Sequence, residues 1–225
     1  MMEVEGIVRL IALYAIPGIF AITLHEAAHG YAARLFGDPT AHEAGRITLN
    51  PIRHIDPIGT ILIPAFILFA SGGKFAFGWA RPVPVNFERL RSPKRDMLWV
   101  AAAGPGANLL MAIMWALAIK LAQVMPQNYF TEPLILMARG GIIINTVLMV
   151  LNLLPLPPLD GGRIAVSLLP RAVAYRFAMV EPYGMVILLV LMFLGVLGTV
   201  MMPFVGAFIG GLSAVFNIGW IFGIR

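Results

Sequence analysis

The sequence contains no cysteine and few charged side chains, and both features restrict the possible protein classes. Without cysteine there are no disulfides and no thiolate metal ligands. Charged residues make up 12% of the 225 residues, against about 25% in soluble domains, while hydrophobic residues make up 60%. The mean hydropathy of +0.87 is too high for a soluble fold to bury its apolar surface. We therefore predict an all-α polytopic membrane protein.

The basic residues lie mainly in loops between apolar segments, where they act as topology signals. The net charge of +5 therefore indicates membrane orientation rather than nucleic-acid binding. The expected partner is the lipid bilayer, with no nucleic acid, and the oligomeric state is left open. The N-terminal sequence lacks the basic region of a signal peptide, and no internal repeat is visible.

One motif stands out in the first apolar segment: His25-Glu26-Ala27-Ala28-His29. Two histidines four residues apart project from the same face of a helix, one turn apart. They can bind one zinc ion, and the glutamate beside the first can take the proton of an attacking water. Ionisable side chains inside a membrane segment are costly, so a functional role is the default expectation. A structural zinc is the alternative, but it gives Glu26 no task.

Asp160 is the candidate for a third zinc ligand, since catalytic zinc sites have three protein ligands and an open position. It follows the proline-rich stretch 155–158 at the end of an apolar segment, where an unpaired aspartate would be costly. The prolines interrupt the helix, and the glycines 161–162 let another segment approach closely. His42 and His54 lie in a polar region and are expected to make structural hydrogen bonds.

Five apolar segments are long enough to span a bilayer, at residues 6–36, 97–123, 134–154, 183–202 and 204–222. The apolar segment 58–70 has only about 13 residues against the roughly 20 that a span needs. If it crossed, the basic residues of the loop 71–96, including Lys74, would face outward, against the positive-inside rule. We therefore predict a re-entrant segment, five spans in the cell membrane, an outside N-terminus and a cytoplasmic C-terminus.

The region 40–96 between the first two spans also contains extended patterns. Residues 45–49 are typical of a short strand, and prolines make residues 82–86 extended. A short re-entrant and β-hairpin region is expected here, either as a strand edge for an unwound substrate or as a closed structural hairpin. The predicted organisation is a three-helix catalytic membrane core at 1–165 and two C-terminal transmembrane helices at 166–225.

Three motifs together resemble the site-2 protease family of intramembrane zinc metalloproteases, peptidase family M50. They are His25-Glu26-Ala27-Ala28-His29, Gly104-Pro105-Gly106-Ala107-Asn108 and Asn152-Leu153-Leu154-Pro155-Leu156-Pro157-Pro158-Leu159-Asp160-Gly161. The resemblance implies that His25, His29 and Asp160 bind one Zn²⁺ per chain and that Glu26 is the general base. It also implies a compact prokaryotic member without PDZ or CBS domains, which cleaves transmembrane or membrane-anchored proteins near the cytoplasmic face.

Two asparagines in the second and third motifs are further candidates. Asn108 is a candidate catalytic residue, as a donor to the developing oxyanion, and its alternative is an interhelical hydrogen bond. Asn152 is expected to satisfy backbone groups that the following prolines leave unpaired.

Two other function classes compete with the protease. A membrane ion or metal transporter would use the buried His and Asp cluster as its pathway, and it predicts inverted repeats and independence of Glu26. A zinc peptidase acting on prenylated or soluble peptides would share the first motif, but the aspartate after a proline-rich stretch argues against it. The leading prediction is the intramembrane metalloendopeptidase.

Overall fold

The computed structural model describes residues 4–70, 72 and 78–224, and the side chains from residue 13 onward. All regular structure in this part of the chain is helical. The α-helices are α1 (Val4–Leu35), α2 (Thr40–Glu43), α3 (Ile63–Ala70), α4 (Pro93–Val124), α5 (Thr131–Leu153), α6 (Asp160–Leu168), α7 (Arg171–Ala178), α8 (Glu181–Phe193) and α9 (Val196–Phe216). A π-helix, Pro57–Leu62, precedes α3, and short 3-10 helices lie at Pro51–His54, Phe87–Arg89 and Gly219–Phe222.

The core forms where α4 packs against α1 and α5. Its centre is a stripe of small and aliphatic side chains on α4, with Ala112, Ala116 and Ile119 fully buried. On the facing helix, Gly141 leaves room for the indole of Trp115, whose atoms would lie 2.5 Å from a methyl group placed there. Small residues at such crossings let membrane helices approach closely, as α4 and α5 do here.

Three described helices are long and apolar enough to cross a membrane: α4, α5 and α9. A fourth span results if α7 and α8, which are bent by 62° at their junction, are counted as one. The first predicted span forms α1, which is 32 residues long, but the side chains of residues 4–12 lie outside the described part. The structure thus supports a multi-pass membrane protein, while the five spans and their orientation stay predictions.

The predicted boundary between the last two spans is wrong. The sequence indicated segments 183–202 and 204–222, separated at Pro203. Instead, α8 ends at Phe193, Gly195 adopts a left-handed conformation with φ 73°, and Pro203 lies inside α9. Glycine turns the chain at no steric cost, whereas proline is tolerated inside helices packed in a membrane.

The segment that the sequence predicted to be re-entrant forms a short helix, and its re-entrant course in the membrane stays a prediction. Pro57–Ala70 is a short apolar helical stretch, about 20 Å at 1.5 Å per residue, below the roughly 30 Å of a bilayer core. The predicted strand at 45–49 does not form, because these residues have no ladder partner among the described residues. Part of the basic loop, residues 71 and 73–77 with Lys74, lies outside the described residues.

The segment 78–86 has no helix or strand; its first half bonds to the Gly59 and His54 carbonyls, and Val83 contacts the C-terminal half of α1. Gly30 permits this contact, because a methyl group there would lie 2.9 Å from Ile47 and 3.1 Å from Val83. At the end of the segment, the Asn86 N–H donates to Asp38 Oδ2 at 2.7 Å. The extended chain is therefore fixed against the helix that carries both predicted histidine ligands.

Asp38 is fully buried at this junction. Burial alone would raise the pKa of Asp38, but hydrogen bonds from Thr40 and from the Asn86 N–H, together with the charge of Arg89, hold it below its ordinary value. The carboxylate is therefore charged at neutral pH and ties the loop to the end of α1.

Candidate metal centre

His25, His29 and Asp160 meet in the interior of the protein. The two histidines lie one turn apart on α1, with their Nε2 atoms 3.1 Å from each other. Asp160, the first residue of α6, places Oδ2 3.2 Å from Nε2 of His25 and Oδ1 3.3 Å from Nε2 of His29. The structure thus brings together all three residues that the sequence predicted as metal ligands.

Hydrogen bonds behind the two rings fix which nitrogen of each histidine faces the centre. His29 donates its Nδ1–H to the carbonyl oxygen of Val100 at 2.7 Å. His25 donates its Nδ1–H to Oδ1 of Asn108 at 2.6 Å. A carbonyl oxygen only accepts, so the protons are on Nδ1 and both Nε2 lone pairs point inward. This is the usual outer arrangement around metal-binding histidines.

Asn108 itself is held by a buried network. Its Nδ2 group donates to Ala21 O at 3.2 Å and to Asn145 Oδ1 at 3.0 Å, and Asn145 in turn donates to Gly141 O at 2.9 Å. Both asparagines are completely buried. The geometry does not favour the predicted oxyanion role, because both Nδ2 hydrogens are already used and the amide lies behind His25.

The donor set fits a zinc ion. Two imidazole lone pairs and a carboxylate face one another at 3.1–3.3 Å, and Asp160 Oδ2 is buried without a hydrogen-bond donor. Such a cluster of acceptors is unfavourable unless a cation lies between them. Tetrahedral zinc with ligand bonds of about 2.0–2.1 Å separates its ligands by about 3.3 Å, which matches these distances.

Gly104, the first residue of the second sequence motif, also lies at the site, although the motif alone predicted no role for it. A methyl group at this position would lie 2.6 Å from Nε2 of His25 and would overlap His29 Nε2. Val100, Gly104 and Asn108 are four residues apart, so all three face α1 from one stripe of α4. This four-residue spacing is the sequence signal for the role of Gly104. Val100 and Asn108 supply the hydrogen-bond acceptors for the two histidines, and the glycine between them leaves room for the rings.

The interruption of the helix before Asp160 explains how an aspartate reaches the depth of the two histidines. α5 ends at Leu153, and α6 starts at Asp160 after the proline-containing turn. The turn is tight, because methyl groups at Gly161 or Gly162 would collide with the backbone of residues 153–157. The predicted role of Asn152 differs here, because its Nδ2 donates to the Leu148 carbonyl at 3.0 Å within α5.

Glu26 lies beside the three ligands without being one of them. Its Oε2 accepts a hydrogen bond from the Val83 N–H at 2.8 Å. The carboxylate lines a cavity of about 150 Å³ together with the three ligands and with Val85, Phe87 and Arg163. A second cavity of about 330 Å³ adjoins it, with apolar walls that include Ile22, Leu148 and Met185.

His42 and His54 lie away from this centre, as the sequence suggested. His54 is buried, and its Nε2 donates to the Thr48 carbonyl at 2.9 Å. His42 is exposed and lies 3.4 Å from Arg34. Neither belongs to the metal-binding group.

Comparison with known proteins gives one consistent family. The model for "Peptidase family M50" matches residues 122–195, which include Asp160. "Putative zinc metalloprotease YwhC" of Bacillus subtilis is 42% identical over 180 residues, covering 77% of this chain and 76% of the relative. Two mycobacterial proteins named "Putative zinc metalloprotease Rip2" are also similar. The Mycolicibacterium smegmatis protein is 30% identical and the Mycobacterium tuberculosis one 29%, and each match covers 77% of this chain and 64% or 63% of the relative. No solved structure gives a significant match.

Proposed function

The chain belongs to peptidase family M50, whose members are zinc metalloproteases, and from this premise we propose that it cleaves transmembrane or membrane-anchored proteins inside the bilayer. The observation that carries the proposal is the placement of Glu26, which lies beside three converging metal-ligand atoms and contributes none itself. A ligand cluster for transport alone would not need such a carboxylate.

We assign the metal to His25, His29 and Asp160, through Nε2 of each histidine and the Asp160 carboxylate. These residues would hold a zinc ion, which would supply a Lewis acid for the peptide carbonyl and lower the pKa of the attacking water so that Glu26 can remove its proton. Asn108 and the Val100 carbonyl keep the two imidazoles in the orientation and tautomer that this requires. Asn108 is thus assigned to positioning His25, in place of the catalytic donor role.

Glu26 is the proton carrier in this proposal. Its Oε2 is occupied by the Val83 N–H, so Oε1 accepts the proton of the attacking water. The same atom then delivers the proton to the nitrogen of the departing amine, as a general acid. Proton transfer of this kind contributes about 10²–10⁴-fold to the rate.

The depth of the site supports a cut near one membrane face. His25 precedes the end of α1 at Leu35 by about 15 Å at 1.5 Å per residue. With the N-terminus outside, that end of α1 lies on the cytoplasmic side. The site is then inside the membrane and closer to the cytoplasm.

A helical substrate must unwind before its carbonyl is exposed, and it then needs new partners for its backbone groups. The extended segment 78–86 lies against the cavity and is the place where such a strand pairs. The larger, apolar-walled cavity receives an apolar side chain next to the cut. The proposed organisation is a catalytic core at 1–165 with the C-terminal helices at 166–225.

The test uses a reporter protein with one transmembrane helix, reconstituted with the enzyme in liposomes. Products are mapped by mass spectrometry for the wild type and Glu26→Gln. The proposal expects cuts in the cytoplasmic half of the reporter helix and none with Glu26→Gln. Cuts confined to soluble regions of the reporter would contradict the intramembrane assignment, as would zinc flux across the liposome membrane without any cleavage.

A further inference from the structure

Arg46 is a buried cation outside the group of proposed metal ligands. Its side chain is 8% exposed, and no carboxylate among the described residues forms an ion pair with it. The guanidinium donates from Nη2 to the carbonyl oxygens of Arg81 at 2.8 Å and Pro82 at 3.3 Å, and its Nε has no partner. Burying a guanidinium without a directly paired carboxylate costs free energy, which makes a functional reason for its position worth seeking.

The Pro82–Val83 peptide group connects Arg46 to Glu26. The carbonyl of this peptide accepts from Arg46, and the N–H of the same peptide donates to Glu26 Oε2 at 2.8 Å. The peptide dipole is thus aligned with a cation at its oxygen and a carboxylate at its N–H. Hydrogen bonds in such a chain polarise and strengthen one another in a low-dielectric interior.

Packing and the flanking prolines also restrict the Pro82–Val83 peptide. Val83 is 7% exposed and packs over Gly30 on α1, one residue after His29. Pro82 and Pro84 on either side limit the backbone to extended conformations. Rotation of the 82–83 peptide would break the bonds to both Arg46 and Glu26.

We propose that Arg46 is a positioning residue for the general base. By holding the Pro82 carbonyl, it aims the Val83 N–H at Glu26 Oε2 and so leaves Oε1 turned to the cavity. This inference rests on the proposed function, because it assigns Arg46 a purpose only if Glu26 carries the proton. Misplacing a proton carrier slows the chemical step more than it weakens substrate binding.

The kinetic test compares Arg46→Gln and Arg46→Lys with Arg53→Gln, which removes the same charge from an exposed position in the same loop. Zinc per chain, kcat and KM are measured on the reporter in liposomes. Arg46→Gln should keep its zinc, lose about 10–100-fold in kcat and change KM less than threefold. Arg46→Lys should recover part of the lost kcat, and Arg53→Gln should behave as the wild type.

A second measurement reads the Val83 N–H without using activity. In zinc-loaded protein labelled with ¹⁵N-valine, amide hydrogen exchange is followed at Val83 and at Val150, which is buried in α5. The Val83 amide should exchange at least tenfold faster in Arg46→Gln than in the wild type or Arg53→Gln. The Val150 amide should be unchanged, which shows that the fold is intact.

The outcomes separate this inference from the proposed function. If the wild type cleaves in a Glu26-dependent manner and Arg46→Gln has the wild-type kcat, the positioning role is overturned and the protease stands. If Arg46→Gln loses its zinc, or if its Val150 amide loses protection from hydrogen exchange, Arg46 has only a structural role and the proposal is overturned. A rise in kcat would show that the segment blocks the site. If the wild type cleaves nothing, the proposed function and this inference fail together.

Discussion

Oδ1 of Asn108 accepts the Nδ1 proton of His25 at 2.6 Å, on the side of the imidazole that faces away from the metal-binding cluster. A buried amide in this position can set the orientation of a metal ligand, and we assign Asn108 that role in place of the oxyanion donor. The oxyanion role stays a prediction that zinc affinity and kcat together can test.

Asn108→Ala should therefore weaken zinc binding by about 10–100-fold, as is typical for outer partners of metal-binding histidines. At saturating zinc its kcat should recover most of the wild-type value. The zinc affinity is measured by competition with a chelator of known zinc affinity. Asn128→Ala, in an exposed loop, is the control. An oxyanion donor would give the opposite pattern, with unchanged zinc affinity and kcat lower by about 10²–10³-fold.

Gly104→Ala should abolish zinc binding, because the added methyl group would collide with the Nε2 atoms of both histidines. Gly106→Ala, two residues along α4, is the matched control because a methyl group there meets no atom within 4 Å. Metal analysis of the purified proteins measures the effect. Equal zinc content in the two variants would contradict the close approach of α4 to the ligands.

Gly184 on α8 should couple the C-terminal helices to the catalytic turn. A methyl group there would overlap the Pro157 carbonyl, so Gly184→Ala must displace either α8 or the turn before Asp160. We expect a loss of stability of about 1–3 kcal/mol, together with lower zinc occupancy. Gly198→Ala on α9, where the space is open, should change neither quantity in thermal unfolding and metal assays.

Asp38→Asn should destabilise the protein at neutral pH by about 1–3 kcal/mol, because it replaces a buried carboxylate that accepts several hydrogen bonds. The pKa of Asp38 in the folded state lies below its unfolded value of about 3.9. Its contribution is therefore complete above about pH 4 and is lost as the pH falls through the folded-state pKa. Thermal unfolding in detergent at several pH values should show the two proteins converging in acid. A constant difference down to pH 2 would exclude this origin.

The sequence could predict the parts of the site that are set by local chain geometry. Helical periodicity alone places His25 and His29 on one face, and a proline-rich break next to an apolar segment marks Asp160. The Val83 N–H could not be predicted as the partner of Glu26, because the two residues are 57 positions apart and meet only through the docking of an irregular segment.

The errors have physical causes as well. Residues 45–49 have the composition of a strand, but a strand needs a neighbour to pair with, and composition does not supply one. The predicted segments 183–202 and 204–222 meet at Pro203, but a proline is tolerated inside packed membrane helices and the turn lies at Gly195. For Asn108 the oxyanion role stays a prediction, and the side of His25 on which its amide lies depends on the crossing of α1 and α4.

We propose that Glu26 carries the proton beside a metal held by His25, His29 and Asp160. Zinc per chain and cleavage of the transmembrane reporter should be measured on the same preparations of wild type, Glu26→Gln and Asp160→Ala. We expect Glu26→Gln to retain zinc and to lose cleavage by at least about 10²-fold, and Asp160→Ala to lose both. Wild-type cleavage by Glu26→Gln, or a wild type that binds no zinc, would contradict it.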